Sequence, residues 1–179
     1  KSDKPSSKKV TAIACGLSTC AVLADGVPYI WGKLGKLSYN IPTAVQFKTD
    51  MPNGFHIFDV KAGDAFVLFL NSKGEVFTMG ENLQGQLGNS EHFCDTPIKV
   101  QRLPLIKSIY AGRNYCLVVS SEDGMVYGWG ANQHGQLGLN SQQNLIVQTP
   151  TPIGRRLKDG HRLVLGSFQT FLLKRDHLE

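Results

Sequence analysis

The sequence predicts an all-β fold: β-propeller blades of about four antiparallel strands, arranged as part of a ring. Three observations carry this expectation. The phrase Gly80-Glu81-Asn82-Leu83-Gln84-Gly85-Gln86-Leu87-Gly88 returns fifty residues later as Gly130-Ala131-Asn132-Gln133-His134-Gly135-Gln136-Leu137-Gly138. Short apolar runs alternate with polar turns ending in glycine, and no span reads as an amphipathic helix of three turns. Gly16, Gly63, Gly112 and Gly166 recur at intervals of 47, 49 and 54 residues, the spacing of circularly arranged or stacked units.

The first unit runs from Ala14-Cys15-Gly16 through the strand ending at Ala24, the turn Asp25-Gly26 and the strand Val27-Pro28-Tyr29-Ile30-Trp31-Gly32. In the second, Ala62-Gly63 leads to Phe66 through Leu70, the turn Ser72-Lys73-Gly74 and the strand Glu75-Val76-Phe77-Thr78-Met79-Gly80. In the third, Ala111-Gly112 leads to Tyr115 through Val119, the turn Glu122-Asp123-Gly124 and the strand Met125-Val126-Tyr127-Gly128-Trp129-Gly130. A fourth starts at Leu165-Gly166 and continues through Thr170 to Asp176. The glycine of each hairpin supplies a positive φ that a Cβ makes costly.

After its glycine-rich segment each unit has a polar loop and a connection through proline, at Ile41-Pro42, Thr96-Pro97 and Thr151-Pro152. A further strand, such as Lys107-Ser108-Ile109-Tyr110-Ala111, then leads to the next glycine. The units are accordingly drawn at residues 10–60, 61–109 and 110–164, with the start of a fourth at 165–179 and a basic tail at 1–9. One such sheet cannot bury both of its faces and needs neighbours. Roughly three and a half units fall short of the at least about four blades of a closed propeller. The chain therefore reads as part of a larger ring, in preference to a ring completed by other polypeptide.

Composition narrows the function classes. The 179 residues are 41% hydrophobic and 18% charged, with 19 glycines, a globular profile rather than a disordered one. The net charge of +5 is gathered at the ends: four lysines against Asp3 in the first nine residues, and six basic against three acidic residues from Thr151 onward. The body is nearly neutral, which argues against a continuous phosphate-tracking surface. Cys15, Cys20, Cys94 and Cys116 lack metal-ligand spacing and are expected to be buried free thiols, as suits a reducing, intracellular compartment, cytoplasmic or nuclear. No stretch is long and apolar enough to cross a bilayer, and Lys1 to Lys9 does not begin a signal peptide.

Gly124 through Gly138 matches, almost position by position, the pattern Gly-x-Val-Tyr-x-Trp-Gly-x-Asn-x-x-Gly-Gln-Leu-Gly. In these residues the chain resembles the repeats named after the regulator of chromosome condensation. Gly74 through Gly88 matches too, with Phe77 for the tyrosine and Met79 for the tryptophan. The first unit departs: Lys33-Leu34-Gly35-Lys36-Leu37-Ser38 stands where Asn and Gly-Gln-Leu-Gly belong, so that blade is shortened. The His-Ser that usually follows the family's Gly-x-x is absent from every copy, which marks a diverged member. The resemblance implies a propeller, and its relatives include an exchange factor for the nuclear GTPase Ran that docks on nucleosomes, and modules of ubiquitin ligases.

Chemistry is sparse. The glycine phrase lacks the Lys-Ser/Thr and the strand–helix alternation of a phosphate loop, so its glycines serve turns and close strand approach. Asn82 and Asn132 are expected to bond their own loop backbone. Trp31, Trp129, Phe77 and Tyr127 are expected in the core between blades rather than on a base-stacking platform. The histidines share no metal spacing, and no nucleophile–base set can be assembled, so no catalytic residue, metal site or cofactor is predicted. Candidate partner-binding residues are the basic cluster Arg155, Arg156, Lys158 and Arg162, and His134 in the repeated phrase. The leading functional expectation is a protein-interaction scaffold within a larger protein or complex, such as one with ubiquitin-ligase components. The alternatives are a guanine-nucleotide exchange factor for a small GTPase and a chromatin- or RNA-associated module.

Overall fold

A computed structural model describes residues 8–47, 56–140 and 143–174. Most of the basic tail, His177 and the last residues of the fourth unit lie outside the described residues.

Among the described residues, four sheets follow one another along the chain. The first holds β1 (Val10–Cys15), β2 (Thr19–Ala24), β3 (Val27–Leu34) and β4 (Leu37–Ala44) in that order. The second holds β5 (Ile57–Ala62), β6 (Phe66–Asn71), β7 (Val76–Glu81) and β8 (Phe93–Lys99). The third holds β9 (Ile106–Ala111), β10 (Tyr115–Ser120), β11 (Met125–Ala131) and β12 (Ile146–Arg156). Two strands, β13 (His161–Leu165) and β14 (Thr170–Lys174), make the fourth. Sequence neighbours pair antiparallel throughout, so each sheet is a meander. β5 packs on β1 and β2, β9 on β5 and β6, and β13 on β9, which places the first strand of each sheet innermost in an open, partial ring of propeller-like blades.

The first sheet opens where its sequence unit was drawn, at Val10, but the second, third and fourth each begin one strand earlier than their units. The strand containing Lys107 to Ala111 pairs with β10 and opens the third sheet instead of closing the second. The proline segments, read as connections, are themselves strands: Pro42, Pro97 and Pro152 lie in β4, β8 and β12, the outermost of their sheets. An edge strand tolerates proline because its missing N–H can face away from the ladder.

The central strands read as continuous apolar runs because both faces are covered. All six residues of β6 are buried: Phe66, Leu68 and Leu70 face the cluster shared with the third sheet, while Val67 and Phe69 face the one shared with the first. This is the two-residue alternation of a strand between two neighbours. Each such side chain contributes about 1.5–3 kcal/mol on burial. Trp129 and Phe77 are buried as expected and Tyr127 packs on the core, but Trp31 is only half-buried and belongs to neither cluster.

The recurring glycines mark a shared corner. The N–H of Gly16, Gly63, Gly112 and Gly166 donates to the carbonyl of the residue three further on, at 2.8–2.9 Å. A Cβ on Gly16 would fall on the Gly63 carbonyl, and one on Gly63 would strike the Phe66 ring and come within 2.7 Å of the Gly112 carbonyl. Adjacent blades thus meet backbone to backbone near the axis, and only glycine leaves room.

The thiols divide. Cys94 and Cys116 are buried as expected, whereas Cys15 is exposed and Cys20 half-buried. Cys15 ends β1, whose alternate residues face outward, so an apolar run there did not imply burial.

Candidate functional site

The two copies of the repeated phrase fold alike, residue for residue. Asn82 accepts from the Leu87 N–H at 2.8 Å and donates its amide to the carbonyls of Asn89 and Glu91. Asn132 accepts from the Leu137 N–H at 3.0 Å and donates to the carbonyls of Leu139 and Asn144. The buried Gln86 and Gln136 side chains accept from the N–H groups of Gln84 and His134. Leu87 and Leu137 enter the core. The phrase is a self-bonded loop with an apolar plug, as its local backbone chemistry requires.

That loop docks on the next blade. Gln86 O accepts from the Trp129 indole N–H at 2.9 Å and from the Cys116 thiol at 3.4 Å. Gln136 O accepts from Thr170 Oγ1 at 2.7 Å, and Thr170 stands in β14 where Cys116 stands in β10. In the first sheet the loop is reduced to the turn Gly35-Lys36 between Leu34 and Leu37, and the buried Leu34 joins the cluster shared with the second sheet. The second sheet answers with Met79 at the position of Trp129. A missing acceptor loop in one blade and a missing indole in the next are one departure, not two.

The glycine corners and these loops share one end of the sheets and form the candidate interaction face. Cys15, Gly16, Gly63, Asp64, Arg113 and Gly166 are among the residues around a mouth of about 260 Å³ at the axis. Contacts between neighbouring blades knit this face. Arg113 Nε donates to Asp64 Oδ2 at 2.6 Å, and Gln133 donates to the Gln84 side-chain oxygen at 2.6 Å. The Arg113 guanidinium lies 5.4 Å from the Phe168 ring centre, and the His134 ring meets Phe168 edge-on at 4.8 Å. Leu17 and Leu83 stand out from the same loops at 76% and 69% exposure, with Phe168 at 39%. Sequence reasoning missed Arg113, Phe168 and these leucines; the two positions after each landmark glycine were the available signal for Leu17, Arg113 and Phe168, and the variable positions of the repeated phrase for Leu83.

The expected site residues are placed as follows. His134 is exposed, and together with Arg155 and Arg156 it lines a 680 Å³ groove between the third sheet and the two-stranded fourth. The groove has an apolar floor that includes Leu117, Leu137 and Leu163. His134 lies at one end of the sheet and the arginines at the other, since Arg156 sits opposite Met125 at the far end of β11. Arg156 pairs with Asp123 at 3.0 Å. The Asp123 carboxyl is held below the usual range by the Met125 N–H, then by Ser120 and Arg156. Lys158 lies in the turn beyond β12, beside a second hollow shared with Lys107 and Asp159, and Arg162 is exposed on β13. The basic residues expected on one connection are therefore divided between a strand end, a turn and the next strand. Among the described residues, no group of three or more His, Cys, Asp or Glu is placed to hold a metal ion, and no helix is long and apolar enough to cross a membrane.

The family model for the regulator of chromosome condensation (RCC1) repeat matches residues 73–119 and 123–163, and a second model of that description matches 106–136. The chain belongs to the RCC1-repeat family. Its RCC1 repeats are similar to those of human E3 ubiquitin-protein ligase HERC2, 30% identical over 155 residues that cover 80% of this chain and 3% of the ligase. They are similar also to guanine nucleotide exchange factor SRM1 of Saccharomyces cerevisiae, 28% identical over 165 residues covering 80% of this chain and 32% of SRM1. Human WBSCR16 shares the fold with a TM-score of 0.73 at 24% identity, covering 89% of this chain and 44% of that one. The chain spans about a third of SRM1 and a far smaller share of HERC2.

Proposed function

We propose that this chain is a protein-docking segment of an RCC1-type propeller whose partner is a small GTPase, on which it promotes guanine-nucleotide exchange. The observation that carries this reading is the similarity to the exchange factor SRM1 across 80% of the chain. Exchange fits the chemistry of the face. A protein that reshapes a GTPase needs a rigid docking surface rather than a nucleophile or a metal. The loop face supplies exposed Leu17, Leu83 and Phe168 around the Arg113–Asp64 pair. Arg155, Arg156, Lys158, Arg162 and His134 are proposed as further contacts to an acidic partner surface, in the cytoplasm or nucleus.

The test is a panel of small GTPases loaded with fluorescent guanine nucleotide. The expected result is faster release from one member, slowed again by Leu83→Asp. A flat panel overturns the exchange reading. The second reading, a scaffold within a ubiquitin-ligase assembly, is favoured by the similarity to HERC2. It predicts a stable protein complex, captured by crosslinking, that survives moderate salt and is weakened by Leu83→Asp while nucleotide release is unchanged.

A further inference from the structure

We propose that Cys15 and Cys20 form a redox-active dithiol that closes to a disulfide when it meets a small-molecule disulfide such as oxidised glutathione. The two sulfurs lie 3.5 Å apart on strands β1 and β2, where the residues are direct cross-strand partners. The next pair outward, Gly16 and Thr19, carries the backbone hydrogen bond at 2.8 Å. Because hydrogen-bonded and non-hydrogen-bonded pairs alternate, Cys15 and Cys20 occupy a non-hydrogen-bonded position, where Cα atoms stand about 4.5 Å apart and side chains approach most closely. That separation falls inside the range of roughly 4.4–6.8 Å that a disulfide spans. A bond therefore requires only that the sulfurs close on each other, not that the strands move.

The placement is particular to the first sheet. The equivalent pairs are Ala62 with Val67, Ala111 with Cys116 and Leu165 with Thr170, so no other sheet sets two thiols side by side. Access also discriminates. Cys15 is exposed and lines the axial mouth, whereas Cys94 and Cys116 are buried, the latter donating to Gln86 O. The Cys20 thiol is pushed up by its hydrogen bond with Cys15, then by burial and by the Cys15 charge. Cys15 is thus the sulfur that attacks first.

The chemistry balances by two exchanges. The Cys15 thiolate attacks one sulfur of oxidised glutathione, forming a mixed disulfide and expelling one glutathione thiolate. Cys20 then gives up its proton and attacks Cys15 Sγ, expelling the second. The dithiol is oxidised, the glutathione disulfide is reduced, and the two thiol protons leave on two glutathione molecules. The closed loop is short, so the main consequence is chemical: two thiols disappear from the mouth of the interaction face.

The experiment is intact-mass and peptide mapping of the full chain after incubation with oxidised glutathione. The expected product has lost two hydrogens and two free thiols, with Cys15 linked to Cys20, and Cys94 and Cys116 alkylated only after unfolding. Cys20→Ser should stop at a glutathione adduct on Cys15, and Cys94→Ser should close as the parent does. Adducts on both sulfurs without closure, a Cys15–Cys15 link between two chains, or unreactive thiols at the pair in a chain that reacts when denatured would each overturn the proposal.

Discussion

The indole N–H of Trp129 donates to the main-chain carbonyl of Gln86, 2.9 Å away, across the boundary between the second and third sheets. The third sheet thereby recognises the backbone of the glycine-rich phrase carried by the second. Trp129→Phe keeps a ring but leaves Gln86 O to the weaker thiol of Cys116, and should cost about 1–3 kcal/mol. Trp129→Ala also opens a cavity and should cost about 3–5 kcal/mol. Urea denaturation of both variants checks the order; equal losses would mean that the ring alone matters.

Asn82 and Asn132 hold their loops with matching bonds, so their replacements should behave as a pair. Asn82→Ala and Asn132→Ala each remove an acceptor and an amide donor and should destabilise by about 2–3 kcal/mol. Asn→Asp keeps the acceptor for the Leu87 or Leu137 N–H and should lose less than alanine. Calorimetry on the four variants reads this directly, and a harmless Asn132→Ala would break the equivalence.

The Tyr115 hydroxyl donates to Gln169 O at 2.6 Å and reaches Gly166 O at 3.1 Å, tying the corner of the two-stranded sheet to the third. Burial pushes this phenol up, so it remains a donor through the neutral range. Tyr115→Phe should speed hydrogen exchange in residues 161–174 while leaving β6 and β7 protected. Uniform acceleration across all sheets would show that the hydroxyl supports the whole ring instead.

Glu75 accepts from Lys99 and, at 2.7 Å, from the Asn71 amide at the second hairpin. These bonds, Lys99 first, hold its carboxyl below the ordinary glutamate range. The folded value is lower than the unfolded one, so this stabilisation is complete above the ordinary range. It disappears as pH falls through Glu75's own lower value. Glu75→Gln should flatten that part of the acid limb of a stability–pH curve, and an unchanged limb would assign it to other carboxylates.

Much of the fold was legible because repetition multiplies weak local signals. The hairpin glycines Gly26, Gly74 and Gly124 all have positive φ, and Asn82 and Asn132 bond as their positions suggested. The sheet boundaries were not legible. A strand such as Ile106–Ala111 looks the same whether it ends one sheet or begins the next, and only its pairing with β10 decides. The basic cluster had the same weakness: Arg155 to Arg162 is continuous in sequence but is split by the end of β12 and the start of β13.

The sequence by itself determined the class of fold, the repeat and the backbone chemistry of each loop, because turns, caps and alternation depend on residues close along the chain. Tertiary structure alone decided which loop meets which blade. It paired Trp129 with Gln86, forty-three residues away, set Arg113 against Asp64 and placed Cys15 beside Cys20 across β1 and β2. Those contacts arise from the packing of one sheet on another and from register across strands, and a pattern read along one chain carries neither.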